Sequence, residues 1–259
     1  MGIEVFKKHL REKRAIILSC GSSNINTEQI SRISRAAQSA KASAISIASS
    51  KEAYECVKKN SKLSVFVNSI HPFEILNAVK MGVDGVIIGN YFDVYKQGKK
   101  FDFSEIYDIV LESLSLINDY DVYKIVTIPA SISFDEQCQL VNKLNMLGVD
   151  MIQTEGYKKS SVNSTLILES PELAIKNMVE INKNTSLLIS SSCINSVEAL
   201  KSAFDNGASA VNIETILTKL DSEVAIKTKV FEMVGSVSYR NSLNKEIVRT
   251  PRELTFGIF

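Results

Sequence analysis

The segment VKMGVDGVIIGN at residues 79–90 decides the fold, because the chain repeats it with variations. The pattern returns as LNMLGVDMIQTEG at 144–156 and FDNGASAVNIET at 204–215, and QSAKASAISIAS at 38–49 has Lys41 where the others have glycine. Each copy begins at the end of an amphipathic helix, continues with a residue suited to the left-handed conformation that closes helices, and enters a short apolar run. The repeated unit is helix, tight turn and buried strand, which is half of a β/α repeat.

Apolar segments of this kind alternate with helical patterns along the whole chain. Short, mostly apolar strands between helices predict a parallel sheet that is buried on both faces. The fold class is therefore α/β, and eight units in 259 residues predict a single (β/α)8 TIM-type barrel. An open doubly wound sheet is the alternative, but the sequence has no GxGxxG turn of the kind that usually accompanies it. The predicted strands are 15–19, 44–48, 64–68, 84–89, 123–128, 150–154, 186–191 and 209–213, and the predicted helices lie near 26–41, 50–60, 72–81, 103–118, 133–147, 170–183, 194–206 and 221–238.

One domain is favoured, because no linker rich in proline, glycine or serine divides the chain. We expect the barrel at 1–238, including a short N-terminal helix whose Ile3, Phe6 and Leu10 pack on the body. The tail at 239–259 has no clear period, so the sequence leaves open whether it docks on the barrel.

Composition excludes several classes of function. Lys and Arg total 30 against 29 Asp and Glu, and the net charge of +1 gives no indication of nucleic-acid binding. No apolar run approaches the roughly 18 residues of a membrane-spanning helix, and the N-terminus lacks the apolar core of a secretory signal. Four cysteines without a CxxC pair and two histidines predict neither a disulfide scaffold nor a metal site. We expect no nucleic-acid, membrane or metal partner, and the sequence leaves the oligomeric state open.

Three strings carry a resemblance to a known family. They are SIHPFEILNAVKMGVDGVIIGNYFDVYKQGKKF at 69–101, TIPASISFDEQCQL at 127–140 and GVDMIQTEG at 148–156. The chain resembles, from about residue 15 to 238, the hypothetical chloroplast reading frame family twenty-three, an uncharacterised family of algal plastids and cyanobacteria. The resemblance implies a barrel-type fold and a location in the plastid stroma. It implies no reaction.

The chain departs from that family's pattern at four places. The family's A-S-G-L after strand seven is Ser191 to Ile194 here, and its G-x-G-S after strand eight is Asn212 to Thr215. The histidine of its T-x-P-H is replaced by Ala130, and the glutamate of its S-I-E-P by His71. Glycines at the last two turns would let backbone amides approach a phosphate, so if the relatives bind phosphate there, the loss of these glycines, with Glu214 nearby, predicts weak binding or none in this chain. The alternative is that Ser190, Ser191, Ser192 and Asn195 still donate to a phosphate, and Asn195 or Cys193 is expected to cap the next helix.

The carboxyl ends of the strands carry the candidate site. In barrels of this type function lies at that mouth, and alternate residues of each strand point inward. Because the helix-facing residues must be apolar, alternation and strand ends predict a polar ring at the mouth. A ring this polar favours a functional pocket, and the alternative is a network that satisfies its own hydrogen bonds. The predicted substrate-binding residues are Asn68, Asn90, Thr127, Gln153, Ser190, Ser192 and Asn212.

Three acids are the candidate catalytic groups. Glu155 and Glu214 follow strands six and eight, so both are expected to face one cavity. Two carboxylates close together there would have different pKa values, and one of them could act as an acid or base. The alternative is that each pairs with a lysine or an amide. Asp93, in the loop after strand four, is a weaker candidate. A Schiff-base aldolase is not expected, because Lys124 lies at the wrong end of its strand.

Two long loops, 90–102 and 155–169, each contain tyrosine, lysine and glycine. Such loops are often lids, and these would tolerate anions; the alternative is a solvated loop. We therefore expect a barrel that binds or transforms a small polar or phosphorylated metabolite. The alternative is a non-catalytic barrel with a degenerate site that binds a protein partner or an effector. No motif indicates a flavin or another phosphate-bearing cofactor, so the cofactor stays unknown, and the sequence does not decide whether the protein is an enzyme.

Overall fold

Eight parallel strands form a closed barrel, as the sequence predicts. The structure, a computed structural model, describes residues 2–159 and 167–249. The strand order around the barrel is β1-β2-β3-β4-β5-β6-β9-β10, with β10 returning to β1, so the alternative of an open sheet is wrong. The barrel strands are β1 (Ala15–Ser19), β2 (Ala44–Ile47), β3 (Ser64–Ser69), β4 (Gly85–Ile88), β5 (Tyr123–Ile128), β6 (Met151–Thr154), β9 (Leu188–Ser191) and β10 (Ala210–Ile213).

Helices connect the strands and form the outer layer of the barrel. Most begin at a serine, asparagine or aspartate whose side chain accepts a backbone N–H of the first turn, such as Ser50, Asp102 and Ser133. The helices in the described residues are α1 (Gly2–Arg11), α2 (Thr27–Ala40), α3 (Lys51–Asn60), α4 (Pro72–Met81), α5 (Phe92–Lys96), α6 (Phe103–Leu116), α7 (Phe134–Leu144), α8 (Pro171–Asn182), α9 (Val197–Asp205), α10 (Thr215–Thr218) and α11 (Glu223–Arg249).

The two long loops carry elements that the sequence interpretation missed. The first contains the short helix α5. The second contains an antiparallel hairpin of β7 (Tyr157–Lys159) and β8 (Ile167–Glu169), which is separate from the barrel sheet. These elements are short and lack a clear apolar period, so tertiary contacts at the mouth decide them. Both place aromatic side chains over the barrel.

The N-terminal helix closes the bottom of the barrel, which confirms its predicted docking. Phe6 and Leu10 of α1 are buried against the inward-facing residues of the strands, and Ile3 packs on the same cluster. The Phe6 ring lies 5.0 Å from Phe66 and 5.4 Å from Tyr123, centroid to centroid. Aromatic contacts of this kind add to the apolar burial. The interior therefore has a sealed apolar floor and opens toward the carboxyl ends of the strands.

The last helix crosses the predicted boundary between barrel and tail. It runs without interruption from Glu223 to Arg249, whereas the barrel was expected to end at 238. Its first part packs on α2, and Ile226, Val230 and Met233 are buried there. Residues 250–259, the rest of the predicted tail, lie outside the described residues.

Lys41 has the left-handed conformation predicted from its place in the repeat. Its φ of 59° and ψ of 42° close α2, and its N–H bonds to Ala37 and Gln38. A side chain makes this conformation unfavourable by about 1 kcal/mol relative to glycine. We expect Lys41→Gly to raise the free energy of unfolding by about 0.5–1 kcal/mol in urea titrations. Gly148, at φ 69° with open space around it, is the reverse control, and Gly148→Ala should lower the free energy of unfolding by a similar amount. If both substitutions changed the free energy of unfolding in the same direction, the interpretation would be contradicted.

Candidate functional site

The inward-facing side chains lie in layers that become more polar toward the mouth. Each layer takes its members from alternate strands, and the register of the strand pairs decides which residues share a layer. Glu155 and Glu214 follow the ends of β6 and β10, above the last complete layer. From the floor upward, the layers are Ile17, Phe66, Ile125 and Ser190; then Ser46, Ile87, Gln153 and Asn212; then Ser19, Asn68, Thr127 and Ser192.

Three of the predicted binding residues contact one another. Asn212 Nδ2 donates to Gln153 Oε1 at 3.2 Å, and Gln153 Nε2 donates to Thr127 Oγ1 at 3.3 Å. All three side chains are buried. This part of the ring is a hydrogen-bond network of the protein itself, which was the alternative interpretation of the polar mouth.

The remaining predicted binding residues lie outside that network. Asn68 and Ser190 are buried, and Asn68 Oδ1 and Ser190 Oγ have no partner among the described residues. Ser192 Oγ donates to the Thr154 carbonyl at 3.0 Å. Asn90 is half-buried and follows a glycine at φ 110°, where the alternation that was expected to place it in the ring ends. Asn90 therefore does not follow the strand alternation that places the other predicted binding residues in the ring.

Glu155 is a buried carboxylate held by two donors. The Tyr95 hydroxyl donates to its Oε1 at 2.5 Å, and the Ala130 N–H donates to the same oxygen at 3.0 Å. The side chain is 2% exposed. Burial raises the pKa of Glu155 to about 7, although both hydrogen bonds act to lower it. A carboxyl group in this range can gain or lose a proton near neutral pH, as a general acid or base must.

A cavity of about 380 Å³ is lined by Tyr95 and Ala130, the two residues that donate hydrogen bonds to Glu155. Tyr95 forms part of its wall, and Ser131 Oγ lies 3.3 Å from the same Tyr95 hydroxyl that bonds to Glu155. Among the described residues that line it there is no carboxylate. We call it the lysine cavity, and its polar and aromatic lining is Lys99, Lys100, Lys158, Tyr95, Ser131 and Tyr157.

Glu214 and Asp93 line a different cavity, of about 670 Å³, together with Glu169. We call it the acidic cavity. Ser19 Oγ donates to Glu214 Oε2 at 2.9 Å, and Asp93 pairs with Lys96 at 3.0 Å. Burial raises the pKa of Glu214, and the charges of Glu169 and Asp93 raise it further. Glu169 and Asp93 are thus the carboxylates whose charges shift the pKa of Glu214. The expected pairing of Glu214 with Glu155 does not contribute to that shift.

Tyr157, at the start of the hairpin, lines the lysine cavity and stacks on Phe92, which lines the acidic cavity. Its ring stacks on Phe92 with centroids 4.7 Å apart and meets Tyr95 edge-on at 6.1 Å. Burial raises the pKa of the Tyr157 phenol, and the charges of Glu214 and Glu155 raise it further. Tyr157, which the sequence interpretation did not single out, is thus close enough to both acids to feel their charges.

The turns after β9 and β10 carry Cys193 and Glu214 at the positions where the sequence interpretation noted the loss of glycines. Cys193, in the place of the family's glycine, has φ 59° and is buried. Glu214 precedes α10 and puts a carboxylate where an anion would approach. Ser196, rather than Cys193 or Asn195, caps α9.

Sequence reasoning missed Tyr95, Tyr157 and the lysines as individual site residues. The available signal was that tyrosine and lysine recur in both long loops, but loop residues have no period that fixes their direction. Among the described residues, no group of three or more His, Cys, Asp or Glu side chains is placed to hold a metal ion. In the same part of the chain, no helix has the length and apolar character needed to cross a membrane.

Comparison with known sequences identifies relatives across nearly the whole chain. The profile of the family described as "Protein of unknown function (DUF561)" matches residues 3–243. The uncharacterized protein ycf23 of Cyanophora paradoxa is 30% identical over 239 residues, covering 90% of this chain and 97% of the relative. The uncharacterized protein ycf23 of Antithamnion sp. is 31% identical over 240 residues, covering 88% and 86%.

Solved structures with similar folds are barrel enzymes of low sequence identity. The (S)-3-O-geranylgeranylglyceryl phosphate synthase of Thermoplasma acidophilum, solved with its substrate sn-glycerol-1-phosphate, has a TM-score of 0.62 and 13% identity, covering 91% of this chain and 98% of its own. The N-acetylmannosamine-6-phosphate 2-epimerase of Clostridium perfringens has a TM-score of 0.57 and 16% identity, covering 81% and 90%. At this identity the likeness shows the (β/α)8 fold alone.

Proposed function

The chain belongs to the family described as protein of unknown function DUF561, and we propose that it binds a small anionic metabolite in the lysine cavity, with Glu155 as acid or base. The observation that carries the proposal is the position of Glu155, a buried carboxyl with a pKa of about 7 that is joined to the cavity wall through Tyr95. Groups with strongly perturbed pKa values next to a cavity are frequent in catalytic sites.

Charge supports the choice of an anionic ligand. Lys99, Lys100 and Lys158 line the cavity without a carboxylate among its described lining residues. The charges of Lys100 and Lys158 also act on Glu136 and Glu172, which lie outside that lining, so the cavity keeps an excess of positive charge at its wall. Lysine binds phosphate and carboxylate groups as a compact point charge. The similar barrels solved with or named for phosphorylated compounds support the same class of ligand.

Tyr95 gives the proton of Glu155 a route to the ligand. When Glu155 is protonated, it can donate to the Tyr95 oxygen while the Tyr95 proton passes to the ligand, which leaves a carboxylate and a protonated ligand. The reverse transfer removes a proton from the ligand. Tyr95 itself stays neutral in both end states, consistent with the raised pKa that burial gives its phenol.

The lysines provide the test. We expect inorganic phosphate or a sugar phosphate to raise the melting temperature, since a ligand at 100 times its dissociation constant adds roughly 2.7 kcal/mol. The double substitution Lys99→Ala, Lys100→Ala should weaken this binding about tenfold or more, because it removes two charges from the cavity. Lys219→Ala, in the acidic cavity, is the matched control and should bind normally. Equal binding by the double variant, or a loss confined to the control, would contradict the proposal.

A non-catalytic barrel that binds a protein partner is the second candidate. The observation that favours it is the stacking of Tyr157 on Phe92, which joins the hairpin to α5. A protein that shows no thermal shift with any phosphate or carboxylate, but captures a partner in a pull-down, would support it over the first candidate.

The location we propose is the plastid stroma. Relatives from several algae carry the name ycf23, which denotes a chloroplast reading frame, and this supports a plastid location. Imaging of a fluorescent fusion in an algal cell would test the compartment.

A further inference from the structure

A further cavity, of about 620 Å³, lies at the face of the barrel opposite the mouth. Its walls come from α1, from the end of α3 and from the turns that lead into β2, β3 and β4, so it lies at the amino ends of those strands. We call it the floor cavity, and its ionisable lining among the described residues is His9, Lys41, Lys58, Lys62 and Asp84. Barrels of this type carry their catalytic groups at the other face, so this cavity calls for a separate explanation.

The charge at the floor cavity is mostly positive. Lys41, Lys58 and Lys62 line it, and none of the ion pairs among the described residues involves them. Asp84 also lines it and accepts a backbone N–H of β3 at 2.9 Å. Burial lowers the pKa of His9 to about 4, so this side chain is uncharged near neutral pH. Three lysines and one aspartate therefore leave a net charge of +2 in the described lining.

Lys41 occupies its place in this cavity against the preference of the backbone. It closes α2 in the left-handed conformation, at φ 59°, where the other copies of the repeated unit have glycine. Glycine adopts this conformation without the steric penalty that a side chain brings. Residues held in such conformations are concentrated at functional sites, where local stability is given up for another purpose. The lysine is therefore better explained by its charge at the cavity than by the turn that it forms.

Hydrogen bonds between two turns hold the wall beside Lys41. Gln38 Oε1 accepts from Ser61 Oγ at 3.2 Å and from the Lys62 N–H at 2.7 Å. These bonds join the end of α2 to the turn before β3, and they fix the orientation of the amide, because its nitrogen cannot accept. Gln38 itself lines the cavity, so its Nε2 group is a neutral donor that an anion can use beside the lysines.

The chemistry of this lining suits a small anion with two or more negative charges. Lysine binds phosphate groups as a compact point charge, and the volume lies in the range of cavities that hold small metabolites. We propose that the floor cavity is a second ligand site, which binds a small phosphorylated compound through Lys41, Lys58 and Lys62. Glu155 follows β6 at the opposite end of the barrel, so this ligand is an effector and not the substrate. The site is independent of the proposed function, which concerns the lysine cavity.

Pyrophosphate is a suitable probe, because it is small and carries several negative charges. In calorimetry, Lys41→Gly should weaken its binding at the floor cavity about tenfold, the effect expected from one lost charge-assisted contact, and Lys62→Ala should act similarly. Lys41→Gly should also be at least as stable as the native chain, since glycine suits the turn, so unfolding would not explain the loss. Lys13→Gly is the matched control, because Lys13 has φ 49°, is exposed and lies outside the described lining. It removes the same charge and should bind normally.

The double variant Lys99→Ala, Lys100→Ala separates the floor cavity from the lysine cavity. We expect it to keep pyrophosphate binding at the floor cavity, and Lys41→Gly added to it should weaken that binding. Native binding that responds to Lys41→Gly but not to the double substitution supports this inference and contradicts the proposed function.

Four results would overturn the inference. They are complete loss of pyrophosphate binding in the double variant, normal binding by Lys41→Gly, equal weakening by Lys13→Gly and Lys41→Gly, and no binding by the native chain. Tighter binding of a short single-stranded oligonucleotide that competes with pyrophosphate would also overturn it, because the lysines would then serve a nucleic acid and not a small effector.

Discussion

Gly156→Ala is expected to destabilise the protein by about 3 kcal/mol, the largest effect of any single methyl group near the site. A Cβ at this position would lie 2.0 Å from the Ser170 carbonyl oxygen and 2.9 Å from the Ala174 backbone nitrogen. Both are backbone atoms at the start of α8, so neither can rotate away. The Gly156 carbonyl also accepts the Ser170 N–H at 2.6 Å, which holds the two segments together. Urea unfolding measures the loss directly.

Gly235→Ala is the matched control for this substitution. Gly235 lies in α11, where a Cβ would meet nothing within 4 Å. Alanine favours a helix over glycine by about 0.5–1 kcal/mol, so this variant should be more stable than the native chain. If the two variants had similar free energies of unfolding, the inference that Gly156 packs too closely on α8 to accept a Cβ would be contradicted.

Gly156 follows Glu155 directly, so the close packing also concerns the candidate site. A shift of the chain at 156 to relieve the contact would move the Glu155 carboxylate away from the Tyr95 hydroxyl and the Ala130 N–H. Tyr157 and Lys158, which line the lysine cavity, follow Gly156 directly and would move with it. Residual folded Gly156→Ala protein should therefore bind the phosphate probes more weakly than the native chain, even when its binding is measured below its melting temperature.

Glu155→Gln is expected to stabilise the protein at high pH and to have little effect at low pH. Burial raises the pKa of this carboxyl from an ordinary value of 4.5 to about 7 in the folded state. The folded state thus holds the proton more tightly, and this contribution to stability is complete below pH 4.5 and lost as the pH rises through 7. The shift corresponds to about 3 kcal/mol, because each pKa unit is worth about 1.4 kcal/mol. The glutamine side chain keeps an oxygen that can accept both hydrogen bonds but carries no charge.

Urea titrations at several pH values between about 5 and 8 measure this effect. At a pH of about 8 the glutamine variant should exceed the native chain by about 1–3 kcal/mol, with the difference closing toward a pH of about 5. Glu55→Gln, at an exposed position on α3, should show no such dependence. A difference of constant size across the range would mean that Glu155 is not a carboxyl with a raised pKa. The same variant should lose any proton transfer to a bound metabolite, since an amide cannot replace a carboxyl as acid or base.

The periodicity of the sequence was sufficient to predict the barrel. Strands of a closed parallel sheet are buried on both faces, so each leaves a short apolar run, such as that of Gly85–Ile88, between helix signals. The helix ends could also be predicted from local sequence. Lys41 and Gly82 have positive φ values, because the turn that joins each helix to the next strand requires them. Alternation along β6 and β10 also placed Gln153 and Asn212 inside, where the structure has them.

The candidate site was only partly predictable. Glu155 and Glu214 were found because they follow strands whose direction the period fixes. Their partners come from segments distant in sequence, with Tyr95 60 residues from Glu155 and Ser19 195 residues from Glu214. No local pattern encodes such contacts, and the short α5 and the hairpin that carry Tyr95 and Tyr157 have too few residues to show a period. For the same reason the sequence could not show that Tyr157 lies near both acids.

The sequence by itself thus determined the α/β architecture, the positions of the strands and the set of polar residues at one end of the barrel. These properties follow from local conformation and from the burial of each strand, which every segment records in its own residues. Only the tertiary structure decided which polar groups satisfy one another and which of them, like Tyr91 and Asn68, are left without a partner among the described residues. It also decided that Glu155 bonds to two residues of the lysine cavity, Tyr95 and Ala130, whereas Glu214 lines the acidic cavity. Those outcomes depend on distances between loops that meet only when the barrel closes.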